Sequence, residues 1–353
     1  MDIGQAIALM RKGIIMGVTI NDIAKAAKVS PSTVSRAIAN NPRISEETRE
    51  KIFKLMEEMN YHPNMIARSL ANKSTKIIGV VVTGTTEKAF QHPFFPEILR
   101  GIASPAYKNK YKILISSVNS TKEEKQVVTE FAKSGITEGI ILLSSRVKGP
   151  AIPELLKMGF PFVVVGRPEN EREVCWVDND NVSIGYEVTR HLIKMGRKKI
   201  AFLGVSSDFI VTLDRLEGYK KALADHNIPV LDELIVEGRF VDDRGYELMK
   251  KLLDKGTVPT GVIACDDLLA FGAIKCMTEK GLKVPEDIAV AGFNNVPLSD
   301  YFTPPLTSVD VNAFGLGVKA FNLLLENMNS EYKSIDRAIV PATLVVRKST
   351  TRA

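Results

Sequence analysis

From Lys76 onward the chain alternates short, continuously apolar runs with amphipathic stretches of helical period, and it does so twice. Strand-like runs at Ile77–Val82, Lys112–Ser116, Gly139–Leu143 and Phe162–Val165 are separated by helical patterns at Glu97–Lys108, Lys122–Lys133 and Ile152–Met158. After Trp176–Asn181 the alternation restarts, with strands at Ile200–Leu203, Leu234–Glu237, Val262–Cys265 and Ile288–Ala291. Their helices are Ile184–Met195, Arg215–Asp225, Gly245–Asp254 and Leu268–Lys280. Such alternation predicts parallel βαβ units, here in two similar halves. The tail carries a strand at Thr307–Val309, a helix near Phe314–Asn327, and strands near Ala338–Val340 and Leu344–Val346, and it can return through both halves. The expected core is therefore α/β, with two doubly wound parallel-sheet subdomains. One takes residues 77–177 with 310–338, the other 178–309 with 339–353.

Bulk properties narrow the class. At 353 residues and 45% apolar, the chain can bury a substantial core and has room for two or three domains. No apolar run approaches the roughly 18 residues that would cross a membrane. Met1 to Ile15 lacks a basic start and a small-residue cleavage site, so it is a poor signal peptide and the expected address is cytoplasmic. Met16-Gly17-Val18-Thr19 reads as a second, more natural start, which makes residues 1–15 an extension. The three cysteines, Cys175, Cys265 and Cys276, read as buried thiols rather than a disulfide framework. Four scattered histidines, without CxxC or HExxH spacing, give no metal site, and no cofactor motif is present.

Residues 16–63 read as a small all-α head. Thr19 caps a helix with Asp22 three residues on, and Ile20, Ile23, Ala24 and Ala27 fall on one face. After Lys28 and Val29, Ser30 is a good N-cap and Pro31 suits the first helical position, opening a second helix whose apolar stripe is Val34, Ala37 and Ile38. Ser32, Thr33, Ser35 and Arg36 are left on the other side. A tight helix-turn-helix with one arginine and several hydroxyls facing outward suits the base edges and phosphates of a DNA major groove. A third helix starts at Ser45 and turns Ile52, Leu55, Met56 and Met59 to one face. Charge agrees: residues 1–76 hold 12 Lys and Arg against 7 Asp and Glu, while the other 277 residues hold 35 against 34. The positive excess at one end is the footprint of a phosphate-binding domain.

Three runs carry a family resemblance: Val18-Thr19-Ile20-Asn21-Asp22-Ile23-Ala24; Val29-Ser30 with Thr33-Val34-Ser35-Arg36; and Tyr61-His62-Pro63-Asn64 followed by Ala67-Arg68-Ser69-Leu70-Ala71. In that order they resemble the DNA-binding head and hinge of the lactose and galactose repressor family. The resemblance implies that Pro31, Ser32 and Arg36 face base edges and that Thr19, Thr33, Ser35, Asn40, Tyr61 and Asn64 hold the phosphate backbone. Pro31 departs from the larger or polar residue often found there. Residues 64–76 would be a hinge helix and linker. Two turns of helix are unstable alone in water, so by its residues the stretch also reads as an ordinary flexible linker; the resemblance instead implies a hinge helix that orders when two copies meet on DNA, with Leu70 as an apolar wedge at a central minor-groove step. Paired heads imply a homodimer on double-stranded DNA with a near-palindromic operator.

The alternating core is similar to the periplasmic-sugar-binding-like core of the same family. Ligands of such cores belong in the cleft between the halves, at the carboxyl ends of the strands. The resemblance assigns Arg215, expected at a helix start, and Asp267, after the strand Val262–Cys265, to sugar or base recognition. A guanidinium fork and a carboxylate both match vicinal hydroxyls. Phe94 and Phe95, in the loop after the first strand, match positions whose rings cover the ligand, and Phe240 could add another. That loop carries extra residues, and Ala89-Phe90-Gln91 with Pro93-Phe94-Phe95-Pro96-Glu97 is similar to maltose-operon repressors of Gram-positive bacteria, which points to a small sugar effector, maltose among the candidates.

Catalysis finds no support. Asp266 and Asp267 are adjacent at the start of one helix and cannot flank a glycosidic bond, and no GxxxxGK cradle exists for a phosphate. Two rival readings stay open: a catabolite-control regulator that takes a phosphorylated carrier protein as corepressor, and a sugar-sensing protein outside transcription, which would bind no specific DNA.

Overall fold

The computed structural model describes residues 18–62, 74–84, 90–143, 145–238, 245–330 and 335–351. The chain divides between Thr75 and Lys76 into two units. The extension 1–15 and the hinge 64–70, with its candidate residues Asn64 and Leu70, lie outside the described residues, as does Phe240.

In the first unit α1 (Ile20–Ala27), α2 (Pro31–Ile38) and α3 (Glu46–Glu58) close on one small core of Ile23, Ala24, Ala27, Val34, Ala37, Ile52 and Tyr61. Local chemistry sets each start. The Asp22 carboxylate accepts from both the backbone N–H and the hydroxyl of Thr19, at 3.0 and 2.7 Å. Ser30 Oγ accepts from Thr33 N–H at 3.1 Å ahead of Pro31, and Ser45 caps α3 in the same way. Lys28 ends α1 in the left-handed region at φ 59°, which turns the chain directly into α2.

The second unit runs β1 (Ile77–Thr83), α4 (Phe94–Lys108), β2 (Lys112–Val118), α5 (Thr121–Lys133), β3 (Gly139–Leu142), α6 (Ala151–Met158), β4 (Phe162–Val165) and β5 (Trp176–Asp178). It crosses over and continues as α7 (Asn181–Lys194), β6 (Ile200–Gly204), α8 (Ile210–Asp225), β7 (Ile235–Glu237), α9 (Gly245–Asp254), β8 (Gly261–Ala264), α10 (Asp267–Glu279), β9 (Ala289–Phe293), α11 (Leu298–Tyr301) and β10 (Thr307–Asp310). Then α12 (Ala313–Asn329) and β11 (Arg337–Ile339) return to the first sheet, and β12 (Thr343–Val345) to the second.

Among the described residues the strands form two six-stranded sheets, β11-β5-β4-β3-β1-β2 and β12-β10-β9-β8-β6-β7. All neighbours are parallel except β10 and β12. Alternate residues of each strand serve opposite faces. In β1, Ile78, Val80 and Val82 pack under α4 and α12, whereas Val81 packs under α5. In β6, Ile200 and Phe202 meet α7 and α8, while Ala201 and Leu203 meet α9 and α10. Cover on both faces explains why the inner strands read as continuous apolar runs, whereas the edge strand β2 leaves Leu114 and Ile115 exposed.

The chain passes between subdomains at 178–181, 310–313 and 339–343. Buried Asn179, on the first crossing, donates from Nδ2 to the carbonyls of Val311 and Val340 on the other two, at 3.1 and 2.8 Å. One amide ties all three together. Among the described residues no helix is long and apolar enough to cross a membrane.

Candidate DNA-reading helix and ligand cleft

On the head, α2 buries Val34 and Ala37 and leaves Pro31, Ser32, Ser35 and Arg36 exposed, with Thr33 half-buried. The exposed groups follow from helical period, since Ser32, Ser35 and Arg36 share the face opposite the core. Charge is divided within the unit. Residues 18–43 carry Lys25, Lys28, Arg36 and Arg43 against Asp22 alone, whereas α3 carries Glu46, Glu47, Glu50, Glu57 and Glu58 against Arg49, Lys51 and Lys54. The positive field therefore surrounds α2 rather than covering the whole head.

The expected phosphate contacts are less uniform. Asn40 is exposed, in the left-handed region at φ 53° just beyond α2. Thr19 is exposed, but its hydroxyl proton is committed to Asp22, whose pKa that bond lowers. Tyr61 is a core residue, 8% exposed and packed with Ile23 and Ile52, and burial raises its phenol pKa. What it offers a phosphate is limited to the small part left exposed.

In the core a cavity of about 120 Å³ lies where the carboxyl ends of the strands of both subdomains meet. One wall comes from His92, Phe94, Phe95, Leu143, Ser145, Val165 and Asp178, the other from Val205, Phe209, Thr212, Arg215, Cys265, Asp266 and Asn294. Arg215 is buried and held on three sides: Nε donates to Asn181 Oδ1 at 2.9 Å, Nη1 donates to the Cys265 carbonyl at 2.7 Å, and the guanidinium lies 4.0 Å from the Phe293 ring centre. Nη2 has no hydrogen-bond partner among the described residues, which leaves a donor for a ligand. Burial lowers the Arg215 pKa, and Asp178 among its neighbours works against that. Burial also raises Asp178 to about 6, although its carboxylate accepts from the backbone N–H groups of Arg167 and Asn179, at 2.8 and 2.7 Å.

Among the described residues three sets of contacts join the walls. His92 Nε2 lies 2.7 Å from Asp266 Oδ2. Arg167, after β4, donates from Nε and Nη2 to the two oxygens of Asp214 on α8, at 2.9 and 2.5 Å, and this forked pair raises its pKa. The segment 145–147 pairs with 208–210, Val147 N–H to Asp208 O at 2.8 Å and Ile210 N–H to Ser145 O at 3.2 Å, with the Arg146 guanidinium 4.5 Å from the Phe209 ring centre.

The structure corrects the expected ligand groups in three places. Asp267 does not line the cavity. It is fully buried, its Oδ1 accepts from Ser308 Oγ at 2.6 Å, and its Oδ2 accepts from Val296 N–H and Ser299 Oγ at 2.9 and 2.8 Å. Burial lifts it to about 7, and its neighbour Asp266, the actual N-cap of α10, faces the cavity instead. Arg215 does line the cavity, but from the second turn of α8, because the helix begins at Ile210 rather than at Arg215. Phe94 and Phe95 belong to the first turn of α4 rather than to a loop. Their rings meet edge to face at 5.4 Å, and Phe95 is 4% exposed.

Sequence reasoning missed His92, Arg167, Asp214 and Asn294. The one signal available was for Asp266, since the residue before a helix that follows a parallel strand is both its cap and its nearest group to the cleft.

Comparison with known proteins places these features. Residues 19–64 match the profile of bacterial regulatory proteins of the lacI family, and residues 189–350 match that of a periplasmic binding protein-like domain. The HTH-type transcriptional regulator MalR of Streptococcus pneumoniae is 36% identical over 318 residues, covering 89% of this chain and 94% of that protein. Among solved structures, the lac repressor dimer bound to operator and the anti-inducer ONPF superposes with a TM-score of 0.86 at 26% identity, covering 96% of this chain and 100% of that one. The complex of the transcriptional regulator CelR with cellobiose does so with a TM-score of 0.75 at 29% identity, covering 94% and 99%.

Proposed function

This chain belongs to the lacI family of bacterial regulatory proteins, as a DNA-binding transcriptional regulator and not an enzyme, and on that footing we propose that it represses sugar-utilisation genes and is relieved by a small sugar, maltose or a maltodextrin. One observation carries the reading: the cavity draws its polar groups from both subdomains, with Asp178 and His92 on one wall and Arg215 and Asp266 on the other. A ligand that touches both walls stabilises one relative placement of the subdomains over others. The aromatic lining at Phe94, Phe95 and Phe209 suits the C–H faces of a sugar ring, and the donors and acceptors opposite suit its hydroxyls.

At the DNA end, Ser32, Arg36 and Pro31 read base edges, while Thr19, Thr33, Ser35 and Asn40 hold phosphates. The protein acts in the cytoplasm as a homodimer on a near-palindromic operator, with residues 64–76 as the hinge between head and core and Leu70 as the wedge. The sugar releases the operator only by as much as it prefers the operator-incompetent core, and a few kcal/mol of difference suffices. Calorimetric titration of the full chain with maltose, maltotriose, cellobiose and ribose tests the effector class. Saturable binding of a glucose-containing oligosaccharide, weakened about tenfold or more by Arg215→Met, is the expected result. No heat from any of the four counts against a sugar effector.

A further inference from the structure

His92 stands in the first subdomain, just before α4, and Asp266 caps α10 in the second. Their 2.7 Å bond crosses the cleft. The other ring nitrogen of His92, Nδ1, accepts from Phe94 N–H at 3.3 Å, so in the neutral ring Nε2 carries the proton and donates to Asp266. The Phe95 ring sits edge-on to the imidazole at 5.8 Å. Asp266 is held equally closely: Oδ2 also accepts from Asn294 Nδ2 at 2.6 Å, and Oδ1 accepts from Leu268 N–H at 2.7 Å. Three donors use three of roughly four acceptor directions on a carboxylate that lines the cavity. Two of them come from its own subdomain, and only His92 comes from the other.

We propose that His92 is the positioning residue of the ligand site: from across the cleft it fixes the Asp266 carboxylate, so the site is complete only when the subdomains close on each other, and closure takes up a proton. This rests on the cleft being the ligand site. The charged groups facing His92 are Asp266 and Asp267 from α10, with Arg215 from α8 and Asp178 from the end of β5 lining the same cavity. Burial by itself disfavours the imidazolium, and the Phe94 N–H acts the same way, but the two α10 carboxylates outweigh burial and the His92 pKa stands above its ordinary value. When the cleft opens, Asp266 withdraws and that support is lost. A group whose pKa is higher in the closed form stabilises that form fully below the open-form value, and the stabilisation is lost as pH rises through the closed-form value. A ligand selective for the closed core then binds more tightly at pH 6 than at pH 8, by at most about tenfold per pH unit for one proton.

The four histidines, His62, His92, His191 and His226, make this readable by NMR of the full chain, with His92→Gln assigning the resonance. The His92 midpoint should lie above that of an ordinary imidazole and fall in Asp266→Asn; a midpoint that Asp266→Asn leaves in place overturns the proposal. The second readout is maltose titration at pH 6 and pH 8. The parent should bind several-fold more tightly at pH 6, His92→Ala should be weak at both, and His92→Gln, which keeps a donor at the same reach, should recover part of the affinity without the pH dependence. A pH dependence in His92→Gln equal to the parent's assigns the proton to Asp267 or Asp178 and overturns the claim. If maltose fails to bind the parent at all, the effector reading falls, and the NMR titration still decides the role of His92.

Discussion

Asp266 and Asp267 are neighbours with opposite fates, because consecutive residues at a helix start point in different directions. Asp266 turns to the cavity as a cap, and Asp267 turns inward to tie β9, α11 and β10 through Val296, Ser299 and Ser308. With its folded-state pKa raised by burial to about 7, Asp267 contributes stability that is complete below the ordinary carboxylate value and is lost as pH rises through 7. Thermal denaturation between pH 4.5 and 7.5 should therefore show the parent losing stability relative to Asp267→Asn as pH rises, and parallel curves would contradict that. Spacing alone could not separate the two carboxylates. On the head, Arg36 is the exposed cation of the α2 outer face. Arg36→Ala should weaken specific operator binding by about 1–3 kcal/mol while leaving non-specific binding to phosphates much less affected, which competition with unrelated DNA measures.

Element boundaries show where sequence patterns hold and where they fail. The start of the recognition helix was legible to the residue, since Ser30 and Pro31 state it chemically, and the helix runs Pro31–Ile38 within the stretch Val29–Ala39 that the pattern marks. By contrast α8 starts five residues before Arg215, because Phe209 offers no capping side chain and the β-branched Ile210, Val211 and Thr212 do not look like a helix start. The two prolines Pro93 and Pro96 hid the first turn of α4 in the same way. Helix crossings were not legible at all. A Cβ on Gly185 of α7 would lie 2.7 Å from the Arg215 carbonyl of α8, and one on Gly218 would lie 2.1 Å from the Val182 carbonyl, so these glycines permit the close approach that places Arg215. Gly185→Ala should cost about 1–3 kcal/mol of stability and weaken sugar binding together, by denaturant melts and calorimetry. Asn179→Ala leaves two buried carbonyls at the crossings unpaired. It should destabilise the core by a similar amount for each, in the same melts.

At the scale of the whole molecule, the head belongs to a DNA-binding family and, on the proposed function, a ligand in the cleft of the core selects among placements of its subdomains; the two functions are linked only if ligand and operator prefer different states. That linkage is reciprocal: a sugar that lowers operator affinity by some factor must itself bind the operator complex more weakly by the same factor. The alternation of strands and helices made the two-sheet core legible in the sequence. Contacts that close the cleft, Arg167 with Asp214 and His92 with Asp266, join residues 47 and 174 positions apart and left no local trace. The most direct test is fluorescence anisotropy of a labelled near-palindromic fragment from upstream of the protein's own gene, titrated with the full chain at fixed salt, with and without saturating maltose. Tight, sequence-specific binding that falls at least about tenfold in the presence of sugar is the predicted result. Binding no tighter than to scrambled DNA, or unchanged at saturating sugar that calorimetry shows to be bound, would contradict it.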